Sequence, residues 1–172
     1  PSGKRRLAPF LPLLDEIARH GAPLAWAGDP GLSHHAAVLR RQADEGTPLD
    51  ALLAEWFALV RETAYRALGE RLYEVQLLAG IALHRGRLAE MQTGEGKTLA
   101  AVAPASLAAL AGRGVHVLTF NDYLARRDAA WMGPIYDYLG VAVASIQSDM
   151  APWERAPVYL CDITYGTNNE FG

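Results

Sequence analysis

The sequence predicts an α/β protein with a parallel β-sheet, and three observations support this fold class. From Leu88 onwards, short apolar segments typical of strands alternate with segments typical of helices. Parallel sheets show this alternation because a crossover helix connects each strand to the next. A glycine-rich loop lies between the first apolar segment and a helix-forming segment. Up to about residue 86 the sequence indicates only helices, separated by glycine and proline.

The region that begins at Leu88 predicts four strands, with helices after the first three. The strand segments are nearly all apolar, which indicates a sheet covered on both faces. We expect Gly133-Pro134 to break one helix, and Pro104 to kink or shorten another. Thr167 and Glu170 resemble a capping box that opens a further helix. The strands are predicted at residues 88–91, 115–120, 141–146 and 158–163.

The first part of the chain predicts three helices. One begins at Ser33 and closes near Ala43, and the second follows the cap and first-turn proline at Thr47-Pro48. Gly69 is expected to end the second helix. Its apolar residues recur every three or four positions, which predicts a stripe that packs against a partner surface. The third helix is predicted at residues 73–83.

The loop at residues 91–98 (MQTGEGKT) predicts a phosphate-binding site. Its glycines allow main-chain N–H groups and the positive end of the next helix to converge on phosphate oxygens. Lys97 is expected to contact the β- and γ-phosphates of ATP, and the Thr98 hydroxyl to coordinate Mg²⁺, so these two are the candidate catalytic residues. Because Met91 replaces the first glycine of the usual pattern, the match is to the T-G-x-G-K-T form of helicase-like motors. The residues expected to hold the nucleotide here are Thr93, Gly94, Glu95, Gly96, Lys97 and Thr98.

Composition excludes several classes of protein. With 51% hydrophobic and 20% charged residues, the chain is expected to fold rather than remain disordered. A net charge of −3 provides no general attraction to nucleic acid. The beginning of the sequence lacks the apolar core of a signal peptide, and no stretch reaches the roughly 20 apolar residues of a membrane span.

Individual side chains also carry expectations. Cys161 lies in an apolar run and is predicted to be a buried strand residue. Adjacent histidines diverge by about 100° on a helix, so they are expected to face solvent rather than share a metal. The tryptophans are expected to anchor the core, and the arginine pairs to be solvated. These residues are His20, His34 and His35; Trp26, Trp56, Trp131 and Trp153; and Arg40-Arg41 and Arg126-Arg127.

Four segments resemble the SecA family, the ATPase motors of bacterial preprotein export. They occur in the family's order and at plausible spacing. The likeness is strong over residues 69–172 and moderate over residues 32–68. The segments are residues 75–84 (VQLLAGIALH), 90–99 (EMQTGEGKTL), 114–128 (GVHVLTFNDYLARRD) and 162–172 (DITYGTNNEFG).

The resemblance implies a RecA-like parallel sheet with a P-loop, the motor lobe of superfamily 2 helicases, preceded by an N-terminal helical extension. It divides the chain into the extension at residues 1–68 and the first part of nucleotide-binding domain 1 at residues 69–172. Such motors hydrolyse ATP between two lobes and use an acidic Mg²⁺-binding motif. Neither that motif nor a second lobe is found in the sequence. We therefore expect an N-terminal portion that binds ATP or ADP with Mg²⁺ but hydrolyses ATP slowly or not at all.

Further residue roles follow from the resemblance. Gln76 matches the glutamine that reads the adenine edge, for which an amide can both donate and accept. Tyr73 falls near the base in the family, or is a core contact of the third helix. Glu70 departs from the family pattern and receives no adenine contact. Asp162 is expected to orient the loop after it, and not to act as the acidic Mg²⁺ motif, because no glutamate follows. Asn121 and residues 167–169 either line the cleft beside the transported polymer or serve as ordinary caps.

The resemblance also implies partners and a location. It implies a SecY-type membrane channel and unfolded preprotein as partners, and a cytoplasmic protein peripheral to the inner face of the plasma membrane. The basic residues 4–6 and the apolar positions up to Ile17 indicate either contact with anionic lipid or a packing helix with a charged tail. Pro9 and Pro12 argue against one long helix there.

Two other classes of function remain open from the sequence. A superfamily 2 nucleic-acid helicase shares the same lobe, but the Asn-Asp-Tyr and Thr-Asn-Asn segments and the acidic charge balance favour the protein motor. The other class is a non-catalytic nucleotide-binding or interaction domain.

Overall fold

The computed structural model describes residues 7–172, which form a three-stranded parallel sheet surrounded by helices. A 3₁₀ turn, Ala8–Phe10, precedes the first helix. The helices are α1 (Leu11–Leu24), α2 (Asp29–Asp44), α3 (Leu49–Leu68), α4 (Glu74–His84), α5 (Lys97–Ala109), α6 (Asp122–Leu139), α7 (Pro152–Tyr159) and α8 (Asn168–Phe171), and the strands are β1 (Val115–Thr119), β2 (Val143–Ser145) and β3 (Ile163–Thr167).

The sheet has the strand order β1-β3-β2, so the last strand lies in the middle. Tyr165 pairs with Val117 on one side and with Ser145 on the other, and both pairings are parallel. All of β3 is buried, as predicted for a sheet covered on both faces. In β1, however, alternate residues are exposed, and Leu118 is 58% exposed. Only the face of β1 towards α5 and α6 is therefore well covered in the described structure.

Helix α3 connects the N-terminal helices to the sheet. It packs against α1 and α2, and also against α5 and α6, which cover the sheet. Trp56 is fully buried, and its indole Nε1 donates a hydrogen bond of 2.9 Å to the Ser106 hydroxyl in α5. The predicted apolar stripe is confirmed, since its central members are all buried. These are Leu52, Leu53, Trp56, Leu59, Val60 and Ala64.

The signals for the two ends of α3 are confirmed in part. The cap predicted at Thr47 is wrong, because Pro48 is the N-cap residue and no side chain among the described residues makes a capping hydrogen bond there. Gly69 ends the helix as predicted, in the left-handed region at φ 72°. Its N–H donates to the Tyr65 carbonyl over 2.9 Å, which satisfies one of the last free carbonyls of the helix. Helix α2 begins at Asp29, ahead of the predicted Ser33, because Pro30 suits the first turn.

Two of the four strand predictions are wrong. Residues 88–91 form an exposed loop, with Leu88 96% exposed, and they pair with no strand among residues 7–172. The apolar run at residues 158–161 instead closes α7 and the turn after it, and β3 begins only at Ile163. Helix α7 is initiated by Pro152 and by Glu154, whose carboxylate accepts from the Ala151 N–H over 2.7 Å.

Two further predictions, one of a helix break and one of a capping box, are wrong. Helix α6 continues through Gly133-Pro134 as far as Leu139. Helix α5 continues past Pro104 to Ala109, so the helix does not end at the proline, and the alternative of a kink stays a prediction. Helix α8 does begin after Thr167, but the Thr167 side chain makes no capping hydrogen bond. Glu170 is paired with Arg155 instead, so the predicted capping box does not form.

Several side chains lie elsewhere than expected. Trp26 and Trp153 are 91% and 79% exposed, so of the four tryptophans only Trp56 is a fully buried anchor. Cys161 is half-buried in a bend, and partial burial raises the pKa of its thiol. The arginine pairs are not simply solvated, because Arg40 contacts the Gly140 carbonyl and Arg126 donates to the Gln147 side chain over 2.9 Å.

The basic residues 4–6 lie outside the described residues. Beyond them, Pro9 falls in the 3₁₀ turn and Pro12 in the first turn of α1, so a separate turn precedes the helix and the segment is not one long helix, as expected. Within residues 7–172, no helix combines the length and hydropathy needed to cross a membrane.

Candidate nucleotide-binding site

The glycine-rich loop leads directly into the first turn of α5. Gly94 and Gly96 both have positive φ values, of 88° and 72°, which glycine adopts without steric cost. Gly96 is the N-cap residue of α5, so the loop ends at the positive end of the helix. A Cβ on Gly96 would lie 2.3 Å from Gln76 Nε2, whereas one on Gly94 would meet nothing within 4 Å.

Gln76 fastens the start of α4 to this loop. Its side-chain carbonyl accepts from the Tyr73 N–H over 2.8 Å, and its amide nitrogen donates to the carbonyls of Glu95 and Gly96 over 3.1 and 3.3 Å. The predicted adenine contact of Gln76 stays a prediction. The Tyr73 side chain is 74% exposed, so the alternative that it is a core contact is wrong.

Two side-chain hydrogen bonds form within the loop. Lys97 Nζ donates to the Gln92 carbonyl over 2.9 Å, and the Glu95 carboxylate accepts from the Gln92 N–H over 2.6 Å. Thr93 and Lys97 are exposed, so the groups expected to meet phosphate face solvent. All of the predicted residues of the loop therefore lie together at the start of α5, with Gln76 behind them.

A cavity of about 280 Å³ opens beside Lys97 and Thr98. It lies between α5, the carboxyl end of β1 and the first turns of α6. In open parallel sheets, ligands bind at the carboxyl ends of the strands, which is the edge where this cavity lies. Its lining comprises Lys97, Thr98, Ala101, Val117, Leu118, Thr119, Phe120, Leu124, Arg127, Asp128 and Tyr165.

Asp128 and Arg127 line this cavity and were missed in the sequence. Asp128 is buried, at 8% exposure, and its Oδ2 lies 3.5 Å from the Thr98 hydroxyl. Arg127 donates to Asp128 Oδ1 from Nε over 2.9 Å and from Nη2 over 2.6 Å. The sequence did contain a signal for Asp128: it is a carboxylate spaced so that it falls on the same face of α6 as Ala125 and Met132, which are buried.

A pair of buried tyrosines supports the inner side of the cavity. The hydroxyls of Tyr136 in α6 and Tyr165 in β3 lie 2.9 Å apart and share a hydrogen bond. Burial raises the pKa of Tyr165 to about 12 and that of Tyr136 well above its usual value. Both phenols are therefore neutral at physiological pH and link the sheet to α6 behind Asp128.

The polar segment that follows β1 has a structural role. Asn121 caps α6, because its side-chain oxygen accepts from the Leu124 N–H over 2.8 Å. The next residue, Asp122, accepts from the Ser148 hydroxyl and N–H over 2.6 and 2.8 Å, and these hydrogen bonds lower its pKa. The cleft-lining role of Asn121 and residues 167–169 stays a prediction.

Asp162 lies at the amino end of β3, away from the loop, because the strand begins one residue after it. Its Oδ2 accepts from the Ala142 N–H over 2.7 Å. Asp162 thus holds the segment before β2, and not a loop after itself as predicted. A position at this end of the strand also agrees with the expectation that it is not the acidic Mg²⁺ motif.

The residues present fit a nucleotide with Mg²⁺. Two glycines, a lysine and a hydroxyl stand at a helix N-terminus beside an open cavity. No group of three or more His, Cys, Asp or Glu residues is placed to hold a metal ion in the described part of the chain. Phosphate-bound Mg²⁺ needs only one or two protein oxygens, since it keeps most of its waters. Thr98 remains the candidate protein ligand.

The fold and the loop together define the class of P-loop α/β proteins. Within that class, the profile of the SecA DEAD-like domain matches residues 2–172. The chain therefore belongs to the SecA family, which confirms the resemblance seen in the sequence.

Individual relatives agree with this assignment. All three described here are named protein translocase subunit SecA. The relative from Oleidesulfovibrio alaskensis is 54% identical over 92% of this chain and 18% of its own length. Those from Treponema pallidum and Solidesulfovibrio magneticus are 51% and 50% identical over 98% of this chain and 18% and 20% of their own lengths. The chain thus spans about a fifth of the length of these relatives.

Proposed function

We propose that this chain binds ATP or ADP with Mg²⁺ through residues 93–98, as part of an ATPase that drives unfolded preproteins across a membrane. One observation carries the proposal: a glycine-rich loop of the form T-G-x-G-K-T, which ends at the N-terminus of α5, lies inside a match to the SecA DEAD-like domain. The membership in that family supports a protein motor, and not a nucleic-acid helicase.

Three kinds of group in the chain would bind the phosphates or the cation. The N–H groups at the start of α5 point towards the loop and carry the positive end of the helix dipole. Lys97 exchanges the Gln92 carbonyl for a phosphate oxygen, and Thr98 offers its hydroxyl oxygen to the cation. Bound Mg²⁺ would neutralise charge on the β- and γ-phosphates.

We propose the partners on family grounds. Relatives of this chain are named protein translocase subunits, and a translocase requires a membrane channel and a polypeptide in transit. A SecY-type channel and unfolded preprotein are therefore the proposed partners. The proposed location is the cytoplasmic side of the plasma membrane, at its inner face.

Calorimetric titration of the purified chain with ADP tests nucleotide binding. We expect binding that Lys97→Ala weakens at least about tenfold, because hydrogen bonds to charged groups contribute roughly 1.5–3 kcal/mol. Arg113→Ala is the matched control, since it removes an exposed cation from the loop before β1. Folded chain that gives no heat with ADP, or that loses affinity equally in both variants, contradicts the proposal.

A chimera tests the role in translocation. Residues 2–172 replace the matching segment of the Treponema pallidum relative, and ATP hydrolysis is measured with membranes and unfolded preprotein or with RNA. We expect stimulation by membranes and preprotein that Lys97→Ala abolishes. Stimulation by RNA alone would favour the helicase class.

Contact with anionic lipid is proposed for the basic residues Lys4, Arg5 and Arg6. Each basic residue near an anionic membrane contributes about 1 kcal/mol of attraction. Flotation with anionic and neutral vesicles compares the chain with a variant in which all three are glutamine. Greater recovery of the unsubstituted chain on anionic vesicles is expected, and equal recovery rules the contact out.

A further inference from the structure

The buried carboxylate of Asp128 has more hydrogen-bonding capacity than its ion pair uses. Removing a carboxylate from water is costly unless charged or polar groups compensate it. Arg127 supplies two such contacts, and both go to Oδ1. Oδ2 is left with one partner among the described residues, the Thr98 hydroxyl at 3.5 Å. The ion pair therefore accounts for one oxygen and leaves the other facing the P-loop.

The geometry of Arg127 fixes the direction of that second oxygen. Neighbouring residues on a helix do not face each other, so the Arg127 side chain must fold back to reach Asp128. Two of its nitrogens, Nε and Nη2, donate to the same oxygen, Oδ1, so the ion pair does not use Oδ2. Oδ2 is thereby aimed at the first turn of α5, where Thr98 lies.

When a hydroxyl oxygen binds a cation, its O–H bond must point away from the cation. The threonine hydroxyl has one proton and two lone pairs, and its hydrogen position is free to rotate. If the proton is donated to an acceptor behind the hydroxyl, the lone pairs face the cation. A carboxylate is the strongest such acceptor that a protein provides. Hydrogen bonds of this kind are often long before the ligand binds and shorten afterwards.

We propose that Asp128 is a positioning residue for Mg²⁺: its Oδ2 accepts the Thr98 proton, and the Thr98 oxygen is thereby presented to the nucleotide-bound cation. Arg127 holds the carboxylate in place for this purpose. The inference rests on the proposed nucleotide binding and adds a residue to it. Asp128 does not touch the nucleotide, so its effect is confined to the part of the affinity that depends on Mg²⁺.

The test measures ADP affinity calorimetrically in Mg²⁺ and in EDTA and takes the ratio of the two as the Mg²⁺ enhancement. We expect Asp128→Asn to lower this enhancement about tenfold, since loss of a partner behind a metal ligand typically costs 10–100-fold in metal affinity. Affinity in EDTA is expected to be unchanged, because Asp128 does not touch the nucleotide, so the loss must appear in the affinity measured with Mg²⁺. Asp137→Asn is the matched control, since Asp137 is exposed on the same helix.

A double-mutant cycle separates positioning from mere structural support. In a Thr98→Val chain the hydroxyl is absent, so Asp128→Asn is expected to have no further effect on the enhancement. Equal losses in Mg²⁺ and in EDTA, or additive effects in the cycle, overturn the proposal. Circular dichroism verifies folding. If Asp128→Asn does not fold, Asp128→Glu replaces it in the test. Glutamate keeps the negative charge that pairs with Arg127 but moves the carboxylate oxygen relative to Thr98. An undiminished Mg²⁺ enhancement in Asp128→Glu also overturns the proposal.

The unsubstituted chain distinguishes failure of this inference from failure of the proposed function. Absence of ADP binding in both solutions contradicts nucleotide binding itself, and the positioning role falls with it. Binding in EDTA that Mg²⁺ does not strengthen leaves nucleotide binding intact but contradicts the Mg²⁺ site at Thr98, and the role of Asp128 with it. Binding that Mg²⁺ strengthens equally in the unsubstituted chain and in Asp128→Asn contradicts only the role of Asp128.

Discussion

At the scale of single residues, two glycines of the loop share a backbone conformation but differ in their surroundings. Gly94 and Gly96 both have positive φ, yet only Gly96 lies against a buried side chain, that of Gln76. Gln76 makes three hydrogen bonds from this position. The absence of a side chain at Gly96 is therefore needed for close approach as well as for backbone conformation.

This difference leads to a prediction for alanine substitution. Gly94→Ala is expected to lower the free energy of unfolding by about 1–2 kcal/mol, the cost of the left-handed conformation. Gly96→Ala should cost roughly 1–3 kcal/mol more, because Gln76 must move and lose hydrogen bonds. Urea denaturation of both variants measures the difference.

The control removes the side chain that Gly96 approaches. In a Gln76→Ala background, Gly96→Ala is expected to cost no more than Gly94→Ala does. An unchanged cost in that background would show that contact with Gln76 is not the cause.

At the scale of elements, α6 shows how packing overrides a local breaker. The helix is capped by Asn121 and ends at Gly140 in the left-handed region, at φ 64°. Between these ends, one face is buried against α3 and the sheet, and this face includes Met132, Ile135 and Tyr136. Pro134 is exposed on the opposite side of the helix and lacks the N–H for one helical hydrogen bond. The free energy gained by burying the other face outweighs the loss of that bond.

Pro134 is therefore a destabilising residue that α6 tolerates. Pro134→Ala is expected to raise the free energy of unfolding by up to roughly 3 kcal/mol, because it restores a helical hydrogen bond and removes a steric clash. Thermal and urea unfolding measure the change.

Pro152→Ala provides the matched comparison. Pro152 occupies the first position of α7, where its missing N–H has no helical partner to lose. Substitution there should leave stability unchanged or slightly lower. Similar gains at both prolines would contradict the explanation based on hydrogen bonding within the helix.

At the scale of the whole molecule, the N-terminal helices and the sheet share a single hydrophobic core within residues 7–172. That core runs from Ile17 in α1 through Trp56 in α3 to Ile163 and Tyr165 in β3. The division of the chain into an extension (residues 1–68) and a nucleotide-binding domain (residues 69–172) stays a prediction. Helix α3, in the first of these regions, packs against α5 and α6 in the second. The two regions are therefore expected to depend on each other for stability.

The corresponding prediction concerns cooperativity. Unfolding in urea should be a single transition that coincides when followed by far-ultraviolet and near-ultraviolet circular dichroism. Trp56→Phe should shift both signals together and lower stability by roughly 1–3 kcal/mol, through lost packing and the lost bond to Ser106. Trp153→Phe, at an exposed site, is the control. Two separated transitions would show that the regions unfold independently.

Local chemistry was sufficient to predict part of this structure. The glycine loop, the cap at Asn121 and the helix end at Gly69 were all predictable, because each depends on residues adjacent in sequence. Residues 158–161 were misassigned because a short apolar run fits a strand or the end of a helix equally well. Residues 88–91 were misassigned because a strand requires a partner, which their own composition does not reveal.

The candidate site was predictable to a similar extent. The loop residues were identified because their spacing in sequence is the signal. The link from Gln76 to Glu95 and Gly96, and the approach of Asp128 to Thr98, join residues 19 to 30 positions apart. Only the packing of α4 and α6 beside α5 brings these groups together, so single-sequence patterns do not reveal them.

The internal hydrogen bonds of the loop have a kinetic consequence. Lys97 and the Gln92 N–H, two donors suited to an anion, are already occupied by the Gln92 carbonyl and the Glu95 carboxylate. A ligand must displace these partners, so we expect opening of the loop to limit the rate of association. Stopped-flow rates should therefore lie below the diffusion limit and level off at high ligand concentration. Glu95→Gln should accelerate them, because a neutral acceptor binds the Gln92 N–H less strongly than a carboxylate does.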